Sequence, residues 1–234
     1  MRKKCIVFGF GIGIVVVIML LFGSYKLMNS RTFQFFGGLT SNVDTAEKVV
    51  AITFDDGPTQ NVERILPILE KYNAKATFFL IGNEIKKNPE QARKIADAGH
   101  QIGNHTYSHQ RMVLKSPSFI EKEIDRTNEL IKQTGFEGEI DFRPPNGKKL
   151  FGLPYYLNQQ NIDTVTWNLE PDSFYNSSAE KIKYVKDHVE PGSIVLLHPM
   201  YDKTGEELKT IEGVLKILSQ EGYKFLTVNE LQEM

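Results

Sequence analysis

The feature that most constrains the fold is an alternation of short apolar runs with amphipathic helical segments from Lys48 onward. Short runs rich in Val, Ile and Phe indicate buried strands, and apolar residues at helical spacing indicate the helices that cover them. This alternation predicts a parallel sheet, because parallel neighbours need a crossover connection, usually a helix. The predicted strands are Val49–Phe54, Ala76–Ile81, His100–Asn104, Ile140–Arg143, Asp163–Asn168, Ser193–His198 and Lys224–Val228.

Start signals for helices separate these strands. A helix is predicted to begin at Asn88-Pro89-Glu90, a second at Ser116-Pro117, and a third at the capping residue Ser178. The remaining predicted helices are Asn61–Tyr72, Phe151–Gln160 and Glu206–Glu221. An open doubly wound sheet and a closed barrel both fit such a pattern. We predict an α/β fold, an irregular (β/α) barrel of about seven parallel strands, in residues 48–234.

The N-terminus carries a long apolar run. Nineteen uncharged, mostly apolar residues, Cys5–Gly23, follow Arg2, Lys3 and Lys4. A helix of that length spans roughly 28 Å, close to the hydrocarbon thickness of a bilayer. We therefore predict an uncleaved transmembrane signal-anchor at residues 5–23 and a tether at 24–47. A cleaved secretory signal is the alternative, although no small-residue cleavage site follows the run.

The basic residues before the run favour a cytoplasmic N-terminus, residues 1–4, and an extracytoplasmic domain. The expected localisation is thus the cell membrane, with a single pass. The formal net charge of -1 gives no general attraction to nucleic acid, which we exclude as a partner. Because Cys5 is the only cysteine, an internal disulfide and a thiolate metal cluster are also excluded.

Two pairs of residues are candidates for metal binding. Asp55 and Asp56 follow the first predicted strand, and alone they can equally be helix-capping acids in a solvated loop. His105 and His109 have an H-x-x-x-H spacing, which on a helical turn directs both imidazoles to one side. Alone, such histidines are more often surface or core residues. Together the two pairs predict a metal site, because carboxyl ends of barrel strands lie at one face.

Two further polar residues follow predicted strands. Arg143 precedes Pro144-Pro145, whose rigid backbone can direct it inward, or simply stiffen a loop. His198 ends a nearly continuous apolar run and by itself can be a satisfied core histidine. Both positions are at the same end of the predicted barrel as the aspartate and histidine pairs.

The segments TFDDGP, HTYSH, RPPNG and LLH, in this order, resemble the successive motifs of the NodB-like polysaccharide deacetylases, carbohydrate esterase family 4. The resemblance covers about Val49 to Val228. It implies a divalent metal, with Asp56, His105 and His109 as ligands. One carboxylate and two imidazoles suit Zn²⁺, while Co²⁺, Ni²⁺ and Mn²⁺ remain alternatives.

The resemblance also implies roles for the other residues. Asp55 is expected to be the catalytic base, His198 the catalytic acid, and Arg143 the residue that positions the base. The backbone N–H of Asn146 would help to stabilise the oxyanion of the tetrahedral intermediate. The products would be acetate and a free amino sugar.

The chain departs from the family pattern at two motifs. Asn146 stands where a tyrosine is usual, so an aromatic contribution to the substrate groove is lost. In the fourth motif Glu170 and Ser173 replace aspartates, and Phe174 replaces a tryptophan. Glu170 or Asp172 is then the expected carboxylate partner of Arg143.

The resulting hypothesis is a metal-dependent hydrolase that removes N-acetyl groups from N-acetylglucosamine residues of cell-wall peptidoglycan. We expect it to act as a monomeric catalytic domain attached to the membrane through residues 5–23. Deacetylation of chitin or chito-oligosaccharides and ester removal from xylan are alternatives within the enzyme class. A catalytically impaired, glycan-binding relative is the alternative outside it. Asp55 and His198 argue against that alternative, because binding requires neither a base nor an acid.

Overall fold

The computed structural model describes the backbone of residues 2–234 and the side chains of residues 13–234. Its helices and strands follow one another in the order α1 Arg2–Met28, β1 Leu39–Thr40, β2 Val49–Asp55, α2 Val62–Lys71, β3 Thr77–Leu80, α3 Gly82–Lys87, α4 Pro89–Asp97, β4 Gln101–Asn104, α5 Pro117–Lys132, α6 Gly152–Gln159, β5 Thr164–Val165, α7 Ser178–His188, β6 Ser193–Leu197, α8 Glu206–Gln220, β7 Lys224–Leu226 and α9 Val228–Gln232.

Strand β2 is the centre of the sheet. It pairs in parallel with β3, β6 and β7, and β3 pairs in parallel with β4. All seven residues of β2 are buried, as expected for a parallel strand that is covered on both faces. The predicted α/β fold with parallel strands is therefore confirmed.

Isolated bridges extend this sheet into a ring. Phe142 forms parallel bridges to Asn104 and to Thr164 of β5, and Leu169 forms one to Val195 of β6. The ring is consistent with the predicted irregular barrel. The predicted strand Ile140–Arg143 is reduced to the bridge at Phe142. Pro144 and Pro145 follow it directly and have no N–H to donate to a neighbouring strand.

Three elements were not predicted from the sequence. β1 lies within the predicted tether and pairs with β5 in parallel, so this part of the tether packs on the domain. α3 follows β3 directly, and α9 begins with a capping box between Thr227 and Glu230. In addition, the cap of α7 is Ser177 rather than the predicted Ser178.

The apolar N-terminal run belongs to α1. In the part of the chain whose side chains are described, no helix combines the length and the apolarity that crossing a membrane requires. The predicted span at residues 5–23 lies partly outside that part, because its first eight residues precede residue 13.

The alternation of side chains between the two faces of β2 determines where Asp55 lies. Val50, Ile52 and Phe54 pack in the core between sheet and helices, where each fully buried side chain contributes roughly 1.5–3 kcal/mol. Val49 and Ala51 belong to a second cluster with Phe79, Val165 and Trp167. Successive strand residues point to opposite faces, so the face of Val49 and Ala51 continues through Thr53 to Asp55. This alternation brings Asp55 to the carboxyl end of the strand on the inner face.

Candidate metal and catalytic site

The two adjacent aspartates reach the same cavity because the strand ends between them. Asp55 is the last residue of β2 and is buried. Asp56 adopts a left-handed backbone conformation (φ 73°), which aspartate tolerates better than most residues. In a continuous strand the two carboxylates would point to opposite faces, whereas here both line one cavity.

The two histidines lie on the loop after β4. The predicted helical turn is wrong, because Thr106 (φ 68°) and His109 (φ 57°) have left-handed conformations. Side chains hold the loop instead: Asn104 Oδ1 accepts from the Thr106 N–H, and Thr106 Oγ1 accepts from the His109 N–H. The imidazoles nevertheless converge, with ring centroids 4.9 Å apart.

Asp56, His105 and His109 have the arrangement of a metal site. One potential ligand atom from each lies within 4.8 Å of the others. His105 Nδ1 lies 2.7 Å from the carbonyl oxygen of Arg143, which assigns the ring proton to Nδ1 and leaves Nε2 free to bind metal. Burial lowers the pKa of His105, which favours this neutral form.

An unsatisfied oxygen supports the same interpretation. Asp56 Oδ1 is buried and, within the described part of the chain, accepts no hydrogen bond. It lies 3.3 Å from His109 Nε2 and 3.9 Å from His105 Nε2. A buried carboxylate oxygen without a donor is costly, and a divalent cation would compensate it. The residues present therefore fit such an ion.

Arg143 holds the candidate base. Its guanidinium is fully buried, and Nη1 donates to Asp55 Oδ1 and Thr53 Oγ1, both at 2.8 Å, while Nη2 donates to the Thr166 carbonyl. Burial raises the pKa of Asp55, but the positive charge of Arg143, its hydrogen bond and the nearby histidines outweigh burial and lower it. Asp55 is thus held as a carboxylate.

The carboxylate that pairs with Arg143 is Asp55 itself. In the described structure neither Glu170 nor Asp172 forms an ion pair with Arg143, so the predicted pairing is wrong. Glu170 Oε2 accepts from Arg31 and from the indole N–H of Trp167. Arg143 reaches Asp55 because both lie at the inner face of the ring.

Asp172 contacts the candidate acid instead. His198 Nδ1 lies 2.9 Å from Asp172 Oδ2, which also accepts from the His198 backbone N–H. Lys181 Nζ lies 2.8 Å from the other oxygen, Asp172 Oδ1. Burial lowers the pKa of His198, but the hydrogen bond to Asp172 and the charges of Asp55, Asp172 and Asp56 outweigh burial and raise it to about 9. His198 is therefore protonated at neutral pH.

A cavity of about 410 Å³ unites most of the predicted site. Of the predicted residues it is lined by Asp55, Asp56, His105, His109, Asn146, Glu170 and His198. Arg143 and Asp172 contact two of these from behind. Asn146 has a left-handed conformation (φ 57°), which asparagine adopts readily, and its Oδ1 accepts from Arg111 Nε.

Sequence reasoning missed several residues of this region. Asn29, Arg31, Lys148 and Trp167 also line the cavity, and Lys181 holds Asp172. Trp167 begins the segment, residues 167–174, that contains the substituted fourth motif. The other four carry no motif of their own, and their contacts join residues that are far apart in the sequence.

Residues 42–165 match the family model described as Polysaccharide deacetylase. The chain is 33% identical over 199 residues to the peptidoglycan-N-acetylglucosamine deacetylase of Bacillus cereus, covering 83% of this chain and 93% of that protein. It is 30% identical to the peptidoglycan-N-acetylmuramic acid deacetylase PdaC of Bacillus subtilis, over 82% of this chain but only 40% of that protein.

Solved structures have the same fold. A peptidoglycan N-acetylglucosamine deacetylase in complex with 4-naphthalen-1-yl-N-oxidanyl-benzamide aligns with a TM-score of 0.77 and 28% identity, covering 82% of this chain and 91% of that one. A family 4 pseudoenzyme from Bacillus anthracis aligns with a TM-score of 0.74 and 28% identity, covering 82% and 67%.

Proposed function

The chain belongs to the polysaccharide deacetylase family, carbohydrate esterase family 4, and from this premise we propose that it removes N-acetyl groups from N-acetylglucosamine residues of peptidoglycan. The observation that carries the proposal is that one cavity contains a carboxylate base and a protonated histidine together with a set of three metal-binding side chains. A base, an acid and a divalent cation together can catalyse the hydrolysis of an amide by water.

Each residue has a distinct role in the proposed mechanism. Asp56, His105 and His109 would hold a divalent metal, which would supply Lewis acidity that makes water more acidic and a carbonyl more electrophilic. Asp55, fixed by Arg143, accepts the proton of the water that attacks the acetamide carbon. The backbone N–H of Asn146 donates to the developing oxyanion. His198 then donates its proton to the nitrogen as the C–N bond breaks, and acetate leaves.

The choice of N-acetylglucosamine as the substrate rests on the named relatives. The Bacillus cereus relative carries the name of an N-acetylglucosamine deacetylase and spans nearly the same length as this chain, which favours that sugar. PdaC is named for N-acetylmuramic acid, and a bifunctional xylanase/deacetylase of Pseudobutyrivibrio xylanivorans is 32% identical over 94% of this chain. The chain covers 35% of the latter protein.

Acetate release from peptidoglycan, chitin oligomers and acetylated xylan tests this choice. We expect the highest rate on peptidoglycan and free amino groups on glucosamine in its muropeptides, as measured by mass spectrometry. Amino groups on muramic acid, or a preference for xylan, would replace the proposed substrate.

A glycan-binding protein without turnover is the second candidate. The pseudoenzyme neighbour and the substituted fourth motif favour it, whereas Asp55 and His198, each held by its own partner, favour an enzyme. Binding of chitin oligomers by the metal-loaded protein, with no acetate released from any substrate, would support this second candidate.

We infer a membrane location from the sequence alone. The support is the apolar run at residues 5–23 with basic residues before it. The protein should stay with the membrane fraction after an alkaline wash and be released by detergent. Release by alkali would exclude an anchor.

A further inference from the structure

The segment Asn29–Arg31 lies against the cavity, although it precedes the region that matches the family model, which begins at residue 42. Two lysines fix it: Lys148 Nζ donates to Asn29 Oδ1, and Lys149 Nζ donates to the Ser30 carbonyl. Lys149 is buried, so its contact is an interior one. A segment held in this way has a defined place in the site.

Arg31 closes a triangle of contacts with two residues of the cavity wall. Its guanidinium lies 4.6 Å from the ring centroid of Trp167, and Nη2 donates to Glu170 Oε2 at 2.7 Å. Trp167 Nε1 donates to the same oxygen at 3.0 Å. Trp167 is only 3% exposed, whereas the Arg31 side chain is 42% exposed. Arg31 therefore covers the indole, and it lines the cavity.

The same wall adjoins the residue that holds the base. The Arg143 guanidinium lies 5.4 Å from the Trp167 ring and 4.0 Å from the Phe79 ring. Thr166 Oγ1 donates to the Arg31 carbonyl at 2.6 Å, and the Thr166 carbonyl accepts from Arg143 Nη2. Both the backbone and the side chain of Arg31 thus contact residues that contact Arg143.

We infer that the segment Asn29–Arg31 completes the active site and that Arg31 is a positioning residue, which holds Trp167 and Glu170 as one wall of the substrate cavity. This inference rests on the proposed function for its kinetic test. Without Arg31, the Glu170 carboxylate loses its cation, and the indole loses its cover. Glycan binding then weakens more than the chemical step, because Arg143 keeps its contacts with Asp55, Thr53 and Thr166.

Fluorescence tests the wall without any need for turnover, because Trp167 is the only tryptophan. In the full-length, metal-loaded protein, Arg31→Met removes the charge and keeps an apolar stem, whereas Arg31→Lys keeps the charge. Arg93→Met is the matched control, since Arg93 lies on α4 and is 3.9 Å from Glu90. We expect stronger acrylamide quenching in Arg31→Met, an intermediate value in Arg31→Lys, and the wild-type value in Arg93→Met.

Kinetics with penta-N-acetylchitopentaose supply the second measurement. Arg31→Met should raise KM about tenfold and change kcat less than about twofold, as expected for the loss of one cation–π contact and one ion pair at a binding wall. Arg31→Lys should restore part of the KM. The inference would be overturned if Arg31→Met showed the same quenching and the same KM as Arg93→Met. It would also be overturned if kcat of Arg31→Met fell by as large a factor as its KM rose.

A second variant covers the case in which Arg31→Met does not fold. Glu170→Gln keeps an acceptor for the Trp167 N–H and removes the ion pair with Arg31. It should also raise KM and quenching, and wild-type values would overturn the inference. If the wild-type protein releases no acetate, the proposed function fails, while the quenching comparison still decides whether Arg31 holds the wall.

Discussion

At the scale of single residues, Asp55 is the group whose replacement separates chemistry from metal binding. Asp55→Asn keeps the size of the side chain and leaves Asp56, His105 and His109 unchanged. Deacetylation should fall by a factor of about 10² or more, the contribution typical of a general base, while the metal content stays at the wild-type level. Acetate release and elemental analysis measure the two effects.

Asp44→Asn is a suitable control, because it removes an exposed carboxylate on the segment that precedes β2. It should retain both activity and metal. If Asp55→Asn is as active as this control, Asp55 is not the base.

The pairing of His198 with Asp172 leads to a prediction about pH. Because the pKa of His198 is raised to about 9, the histidine stays protonated at neutral pH, and activity should fall as the pH rises through that value. The pairing also contributes stability below the ordinary histidine pKa, which is lost as the pH rises through the folded value. Asp172→Asn removes the charge, so the alkaline limb of the kcat profile should move to lower pH. If the alkaline limb does not move in Asp172→Asn, it reports the titration of a group other than His198.

The sequence could point to the candidate site residues that follow predicted strands, because strand ends and special residue types mark them. Asp55, Asp56, His105, His109 and His198 are of this kind. Residues that contact the site from distant parts of the sequence carry no such signal. Lys181 lies on α7 and Arg31 lies before β1, and only the folded chain brings them to Asp172 and Glu170.

At the scale of elements, β4 depends on close packing beside the loop that carries His105 and His109. A Cβ at Gly103 would lie 2.5 Å from Phe79 Cε1 and 3.2 Å from the Asp141 carbonyl. Gly103→Ala should therefore destabilise the protein by roughly 1–3 kcal/mol, as overpacking usually does. Denaturant unfolding followed by circular dichroism measures this change.

Gly152→Ala is the matched control for this variant. Gly152 is the first residue of α6, and its added Cβ would meet Ile120 Cδ1 at 3.4 Å, an ordinary contact. Alanine is favoured over glycine in a helix, so this variant should be neutral or slightly stabilised. Equal unfolding midpoints for the two variants would contradict the packing argument.

The segment before β2 contains a strand that the sequence pattern does not reveal. Residues 24–47 are polar and lack a sustained period, so they predict a tether. A strand of two residues, Leu39–Thr40, is too short for any periodicity to reveal, yet it pairs with β5. Arg31 and Ser30 add contacts that depend on the fold.

A truncation tests the importance of this segment. A chain that starts at residue 48 loses β1 and the contacts of Arg31, and it should melt at a lower temperature and release acetate more slowly than a chain that starts at residue 29. Thermal unfolding and the acetate assay compare the two. Identical behaviour would show that residues 29–47 are a tether in function as well as in sequence.

At the scale of the whole molecule, the buried strands were the predictable part of the fold. Six of the predicted strands overlap β2, β3, β4, β5, β6 and β7, because most of them are short apolar runs between turn signals. The closure of the ring was harder to foresee. It depends on single bridges at Phe142 and Leu169, whose pairing is set by the packing of distant segments rather than by local sequence.

Metal removal tests how far the site and the fold depend on each other. The candidate ligands from the end of β2 and from the loop after β4 meet only in the folded chain. A divalent ion held there should bind the native state and stabilise it by mass action, by about 2.7 kcal/mol at a free concentration of 100 Kd. A chelator should therefore lower Tm and abolish deacetylation, and Zn²⁺ should restore both, with Co²⁺, Ni²⁺ and Mn²⁺ as comparisons. In His109→Ala, which lacks one ligand, the chelator should change Tm much less. If chelation changes neither activity nor Tm, the three-ligand site is contradicted, whereas a Tm that falls without loss of activity would separate the metal from the chemistry.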